Sequence, residues 1–226
     1  MKHADNKGFT LIELLVAMAI ASIVMAAVVS AYQLQVRGKN TQEALTDMNQ
    51  TARAALEVIT NEIRSAGLDP LNALPIGAGI MTAAANQLRI IMDIGDGASL
   101  QSDGDTADPN EDVTYSLYVD GDGNRHLGRN TGGGNQPLAR NVDALDFVYL
   151  DASGNPTGIL ANIRSIQVTL VARAGEMAAG GVGFVGAHTD TTAYQNQQGT
   201  EILAAQNDSY RRLLLTTTIQ CRNIGI

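Results

Sequence analysis

Lys7-Gly8-Phe9-Thr10-Leu11-Ile12-Glu13 leads into a run, Leu14 to Val29, in which every residue except Ser22 is apolar. The reading of this junction decides the reading of the chain. With Phe9, Leu11 and Ile12 included, the apolar stretch covers about 21 residues at ~1.5 Å each, roughly the 30 Å of a bilayer core. Lys2 and Lys7 flank its start and favour a cytoplasmic N-terminus, while Arg37 and Lys39 beyond its end weaken that bias. A secretory signal carries a small-residue cleavage site after its apolar region. Here Ser30-Ala31-Tyr32 is a poor one, and the run continues into more helical sequence. A plain signal anchor accounts for the run but not for Glu13. A carboxylate this deep in an apolar helix costs about 3 kcal/mol, and the next basic residue is Arg37. A partner for Glu13 is expected from outside the chain.

Working outward, no proline interrupts Phe9 to Ala66, and Gly38 is the only glycine there. Leu45, Met48, Ala52, Ala55, Leu56, Ile59, Ile63 and Ala66 recur at spacings of three and four, a helix with one buried stripe. Polar residues, among them Asp47, Arg53, Glu57 and Glu62, occupy the other faces. Gly67 supplies a stop and Pro70 follows. The spacing predicts one helix of about 58 residues, roughly 87 Å long.

Beyond Pro70 the period changes. Residues 87–93, 113–120, 142–151, 163–173 and 211–221 are apolar or alternating runs rich in β-branched residues, punctuated by Gly, Asn, Asp and Pro. They read as strands of an antiparallel sheet, with a turn at 151–156 and a long polar excursion over 174–209. The fold class is α+β: a long N-terminal helix, half membrane-spanning and half amphipathic, packed on an antiparallel β-sheet head.

The Lys7–Glu13 junction resembles the class III signal of type IV prepilins. The resemblance implies a pilin fold with four segments: a leader peptide over 1–8, a transmembrane and assembly helix over 9–31, the amphipathic half of the same helix over 32–67, and a β-rich periplasmic head over 68–226. It implies that prepilin peptidase cuts between Gly8 and Phe9 and that Phe9 becomes the N-methylated terminus. Glu13 would then pair with the terminal amine of a neighbouring subunit, since a buried charge-assisted pair is tolerated where a lone charge is not. The chain would be held single-pass in the inner membrane before entering a pilus or pseudopilus. Its implied partners are other minor and major pilins, the peptidase, the inner-membrane assembly platform and membrane lipid.

Further stretches are similar to PilW-type minor pilins and to the J-type pseudopilins of type II secretion systems. These are Ala52–Glu57 with Asn61–Leu68, Asn162–Arg173, and Tyr210–Thr218 with Arg222-Asn223. They imply a minor pilin that starts assembly or caps the tip, or else a J-type pseudopilin. A membrane-anchored periplasmic binding or enzymatic domain is the alternative of another class. Such an anchor needs neither Glu13 nor the Gly8-Phe9 junction.

Composition narrows the rest. The 226 residues carry a formal charge of -8 and only three lysines, which disfavours nucleic acid as a partner. A single cysteine, Cys221, rules out an intramolecular disulfide and reads as a small buried hydrophobe. Asp120-Gly121-Asp122-Gly123-Asn124 resembles the start of a calcium loop, but Arg125 stands where that loop needs its sixth-position Gly and Thr131 where it needs its final Glu. The same residues suit a hairpin turn, which is the favoured reading, with calcium at Asp120, Asp122 and Asn124 the lesser one. His3, His126 and His188 lack ligand spacing, and Gly132-Gly133-Gly134 follows no phosphate-loop pattern. No nucleophile motif is apparent, so the protein is expected to be no enzyme and to need no cofactor.

Overall fold

The computed structural model describes residues 9–72, 79–95, 102–175 and 188–224. The leader segment, with His3 and Gly8, lies outside them, as does part of the 174–209 excursion. The chain divides into two compact units, one ending at Glu43 and the other beginning at Ala44. A single helix, α1 (Leu11–Ser65), contributes to both.

In the first unit, every residue from Phe9 to Asn40 is exposed, and this helix is long and apolar enough to cross a membrane. Its two interior hydroxyls do not need outside partners. Ser22 donates to the Met18 carbonyl at 2.7 Å and Ser30 to the Ala26 carbonyl at 2.8 Å, back-bonds that let serine sit in apolar helix.

In the second unit the amphipathic stripe covers β-structure. Met48, Ala52, Ala55, Ile59, Ile63 and Ala66 are buried, and Leu45 and Leu56 are half-buried. Ile59 and Ile63 are fully enclosed, each contributing about 2 kcal/mol of apolar burial. Glu62 departs from its expected solvent-facing place. Its carboxylate accepts from Arg129 Nη2 at 2.8 Å and Nε at 3.0 Å, and from the Tyr115 hydroxyl. Position 62 borders the buried face of α1, and its partners lie more than fifty residues on, so helical periodicity alone assigns it to solvent. Burial, and then the Glu62 carboxylate, push the Tyr115 phenol far above its usual range.

The helix ends at Gly67, whose φ of +77° is the left-handed conformation a terminating residue needs. The Gly67 N–H donates to the Ile91 carbonyl at 2.9 Å, and Asn223 Nδ2 caps the Arg64 carbonyl at 3.1 Å. Gly79 crosses here so closely that a Cβ would fall 2.9 Å from Ile224 and 3.1 Å from Gly67 Cα.

The strands form two main antiparallel sheets. The first runs β1 (Ile80–Ala84), β2 (Gln87–Ile91), β3 (Asp112–Val119), β4 (Arg125–Asn130) and β5 (Gln136–Ala139), in that order. The second places a later strand, β7 (Ser165–Arg173), between β6 (Val142–Leu150) and β10 (Arg212–Gln220). β7 is buried along nearly its whole length, which explains its continuous apolar run. The sheets are stitched together where Phe147 N–H donates to the Ala85 carbonyl at 2.7 Å and the Tyr149 hydroxyl to the Ala84 carbonyl at 2.8 Å. A small hairpin, β8 (Tyr194–Gln195) with β9 (Glu201–Leu203), stands inside the region expected to be a long polar excursion.

The fold is therefore the expected α+β arrangement of long helix on antiparallel sheet, with two main sheets where one was expected. β1 and β5 were not anticipated. β1 is Ile-Met-Thr-Ala-Ala, short and weak in β-branched residues, and β5 contains Pro137. Both are edge strands, where pairing on one side tolerates such residues.

Candidate functional site

The chemistry of the N-terminal segment centres on Glu13. Thr10 precedes the first helical residue, and its N–H donates to Glu13 Oε2 at 2.9 Å while its hydroxyl donates to the same oxygen at 2.8 Å. Glu13 N–H returns a 3.3 Å bond to Thr10 Oγ1. This is a reciprocal capping box. Thr10-Leu11-Ile12-Glu13 spells its signature, so the sequence carried this role of Glu13 as well. The box brings two donors to Oε2 but supplies no positive charge. Phe9 is 90% exposed, and the large apolar side chains from Leu11 to Leu34 are exposed as well. What this arrangement can do is bind helices or lipid, and meet an amine at Glu13.

Asp120, Asp122 and Asn124 lie in the turn of the β3–β4 hairpin. Asp120 Oδ1 accepts the N–H groups of Asp122 at 3.0 Å and Asn124 at 2.8 Å. Its Oδ2 meets His126 Nε2 at 2.8 Å, and this imidazole holds the carboxyl below its usual range. His126 is buried, and its Nδ1 accepts the Asn141 N–H at 3.2 Å. The bond pattern thus places the imidazole proton on Nε2. Among the described residues, no three His, Cys, Asp or Glu side chains group as a metal centre. Cys221 is buried, which raises its thiol to about 11.

Sequence reasoning missed a charged cluster that organises the head. Arg212, with 2% of its side chain exposed, donates from Nε to Asp143 Oδ2 at 2.6 Å and from Nη1 to Asp190 Oδ2 at 3.0 Å. It also forks onto Asp208, with Nη1–Oδ1 and Nη2–Oδ2 both 2.7 Å. Arg173 shares Asp143 at 3.1 Å and lies 4.5 Å over the Tyr210 ring. One guanidinium thereby ties the ends of the 188–211 segment to β6. Four separated charges of this kind carry no local motif.

Comparison with known proteins follows the same division. A family model, the prokaryotic N-terminal methylation motif, matches residues 3–29, a span containing Gly8, Phe9 and Glu13. The whole fold is similar to that of a type IV-like pilin from Thermus thermophilus, with a TM-score of 0.50 at 17% sequence identity. That match covers 79% of this chain and 98% of the other. No match was found among the curated proteins.

Proposed function

We propose that this type IV prepilin-like chain, with its methylation motif and pilin fold, is a minor pilin of the PilW type that initiates pilus assembly or sits at the tip. Type IV pilin-like proteins assemble with other pilins, and the apolar N-terminal helix suits membrane anchoring. In this reading the chain waits in the inner membrane with its N-terminus cytoplasmic and its head periplasmic. Prepilin peptidase removes residues 1–8 and Phe9 is methylated. The anchor helix then leaves lipid for neighbouring helices at the assembly platform, so its apolar surface never meets water.

The observation that carries the proposal is the pairing of an uncovered apolar helix with one uncompensated acid, Glu13. A membrane anchor alone needs only the first. The new Phe9 amine is a cation of the right kind, and a neighbour's amine against Glu13 sets the stagger between subunits. The minor role is supported by the PilW-like stretches. These fall on the C-terminal half of α1, on the central strand β7 and on β10, elements of the head. It is supported too by the 188–211 segment, bulk that is easier to place at a tip than in every shaft subunit.

Quantitative immunoblotting of sheared filaments tests the role. The expected ratio to the major pilin is far below one, with deletion reducing filament number much more than filament length. Near-equal amounts would make this a shaft subunit. Loss of secretion with intact pili would favour the J-type pseudopilin.

A further inference from the structure

We propose that the cavity between α1 and β5 binds a small zwitterion of the α-amino-acid class through Arg173 and Asn141. The cavity measures about 520 Å³, a size that suits a small organic molecule. Its walls come from α1, from β5 and the turn after it, and from Arg173 at the end of β7. Arg173 has 1% of its side chain exposed. Its Nε donates to Asp143 Oδ1 at 3.1 Å and its Nη2 lies 3.5 Å from Asn124 Oδ1, but its Nη1 is buried with no hydrogen-bond partner. A guanidinium keeps its charge and its donors throughout the ordinary pH range. Asn141 lines the same cavity, and its Oδ1 is likewise buried without a partner. The two atoms therefore do not pair with each other. The Asn141 backbone is pinned: its N–H donates to His126 Nδ1 at 3.2 Å, and its carbonyl accepts the Arg173 N–H at 2.7 Å.

Buried polar atoms left unpaired are rare and costly. Here a donor and an acceptor are left so on residues that line one cavity. A carboxylate beside an ammonium group satisfies both, the carboxylate accepting from Arg173 Nη1 and the ammonium donating to Asn141 Oδ1. The charges of the lining agree. Asp47 and Arg140, both exposed, add one of each sign, and the Arg173 charge is already offset by Asp143. A simple anion meets no net positive charge there, whereas a molecule carrying both charges finds a complement for each. Met48 and Leu138 supply apolar wall for an aliphatic side chain.

The test is calorimetric titration of L-leucine into the full-length chain in detergent. One saturable site per chain is expected, with a raised unfolding temperature. Isoamylamine lacks the carboxylate and isocaproate the ammonium. Each should bind at least about tenfold more weakly, because one buried atom then stays unpaired. These two ligands give a readout without a variant. Asn141 has a φ of +56°, so Asn141→Gly suits the backbone while removing Oδ1, and it should weaken leucine binding to a similar extent. No saturable leucine binding, either analogue binding as tightly as leucine, or undiminished binding by Asn141→Gly would each overturn the proposal.

Discussion

Glu13 carries two separable properties, an acceptor for Thr10 and a negative charge. The acceptor is local: the capping box closes within Thr10–Glu13 and survives a cut before Phe9, since the Thr10 N–H remains an amide. The charge is what a neighbour would use. Glu13→Gln keeps a side chain able to complete the box but removes the charge, while Glu13→Ala removes both. Both variants should insert in the membrane at least as well as the parent, because a buried acid is gone. Both should fall out of filaments, scored by the amount of protein in the sheared fraction. If Glu13→Gln assembled like the parent, Glu13 would serve its own helix and have no pairing role.

At the scale of elements, legibility followed the range of the interactions. The buried stripe of α1, its end at Gly67 and the run of β7 each rest on short-range rules, and all were readable. Glu62 was not, because its fate is set by Tyr115 and Arg129 from the opposing sheet. The edge strands β1 and β5 were lost because pairing on one side relaxes the residue pattern. Arg212 was missed for the same reason as Glu62: Asp143, Asp190 and Asp208 meet it only after folding. At the Glu13 end, by contrast, motif and capping signature were both local. The Arg212 cluster predicts a pH dependence. Arg212 holds Asp208 below the usual carboxylate range. For Asp190, burial pushes upward, but the Thr192 amide, Arg212 and Tyr194 leave the net shift downward. Depressed folded values stabilise above the ordinary aspartate value near pH 4, and that contribution is lost as pH falls through the lower folded values. Arg212→Met should cost about 3–5 kcal/mol at pH 7, since it strands buried carboxylates. The cost should shrink below about pH 4 as those carboxylates take up protons. Thermal melts of the two proteins at pH 7 and pH 3 check this; an equal difference at both would show that the cost does not come from stranded carboxylate charge.

For the whole molecule, the two units answer different requirements. The unit from Ala44 buries a core, whereas the described residues from Phe9 to Asn40 are all exposed, an apolar surface that suits lipid or other helices. On the function proposed above, that contrast suits a chain that moves between the two, with processing at Gly8-Phe9 as the step that would commit it. The central claim is therefore best tested by the intact mass of the protein purified from membranes of cells with active prepilin peptidase. The predicted mass is that of Phe9–Ile226 plus one methyl group, and Gly8→Val, which crowds the scissile bond with a β-branched side chain, should leave the unprocessed mass. A parent protein that retains Met1–Gly8 under those conditions would contradict the account.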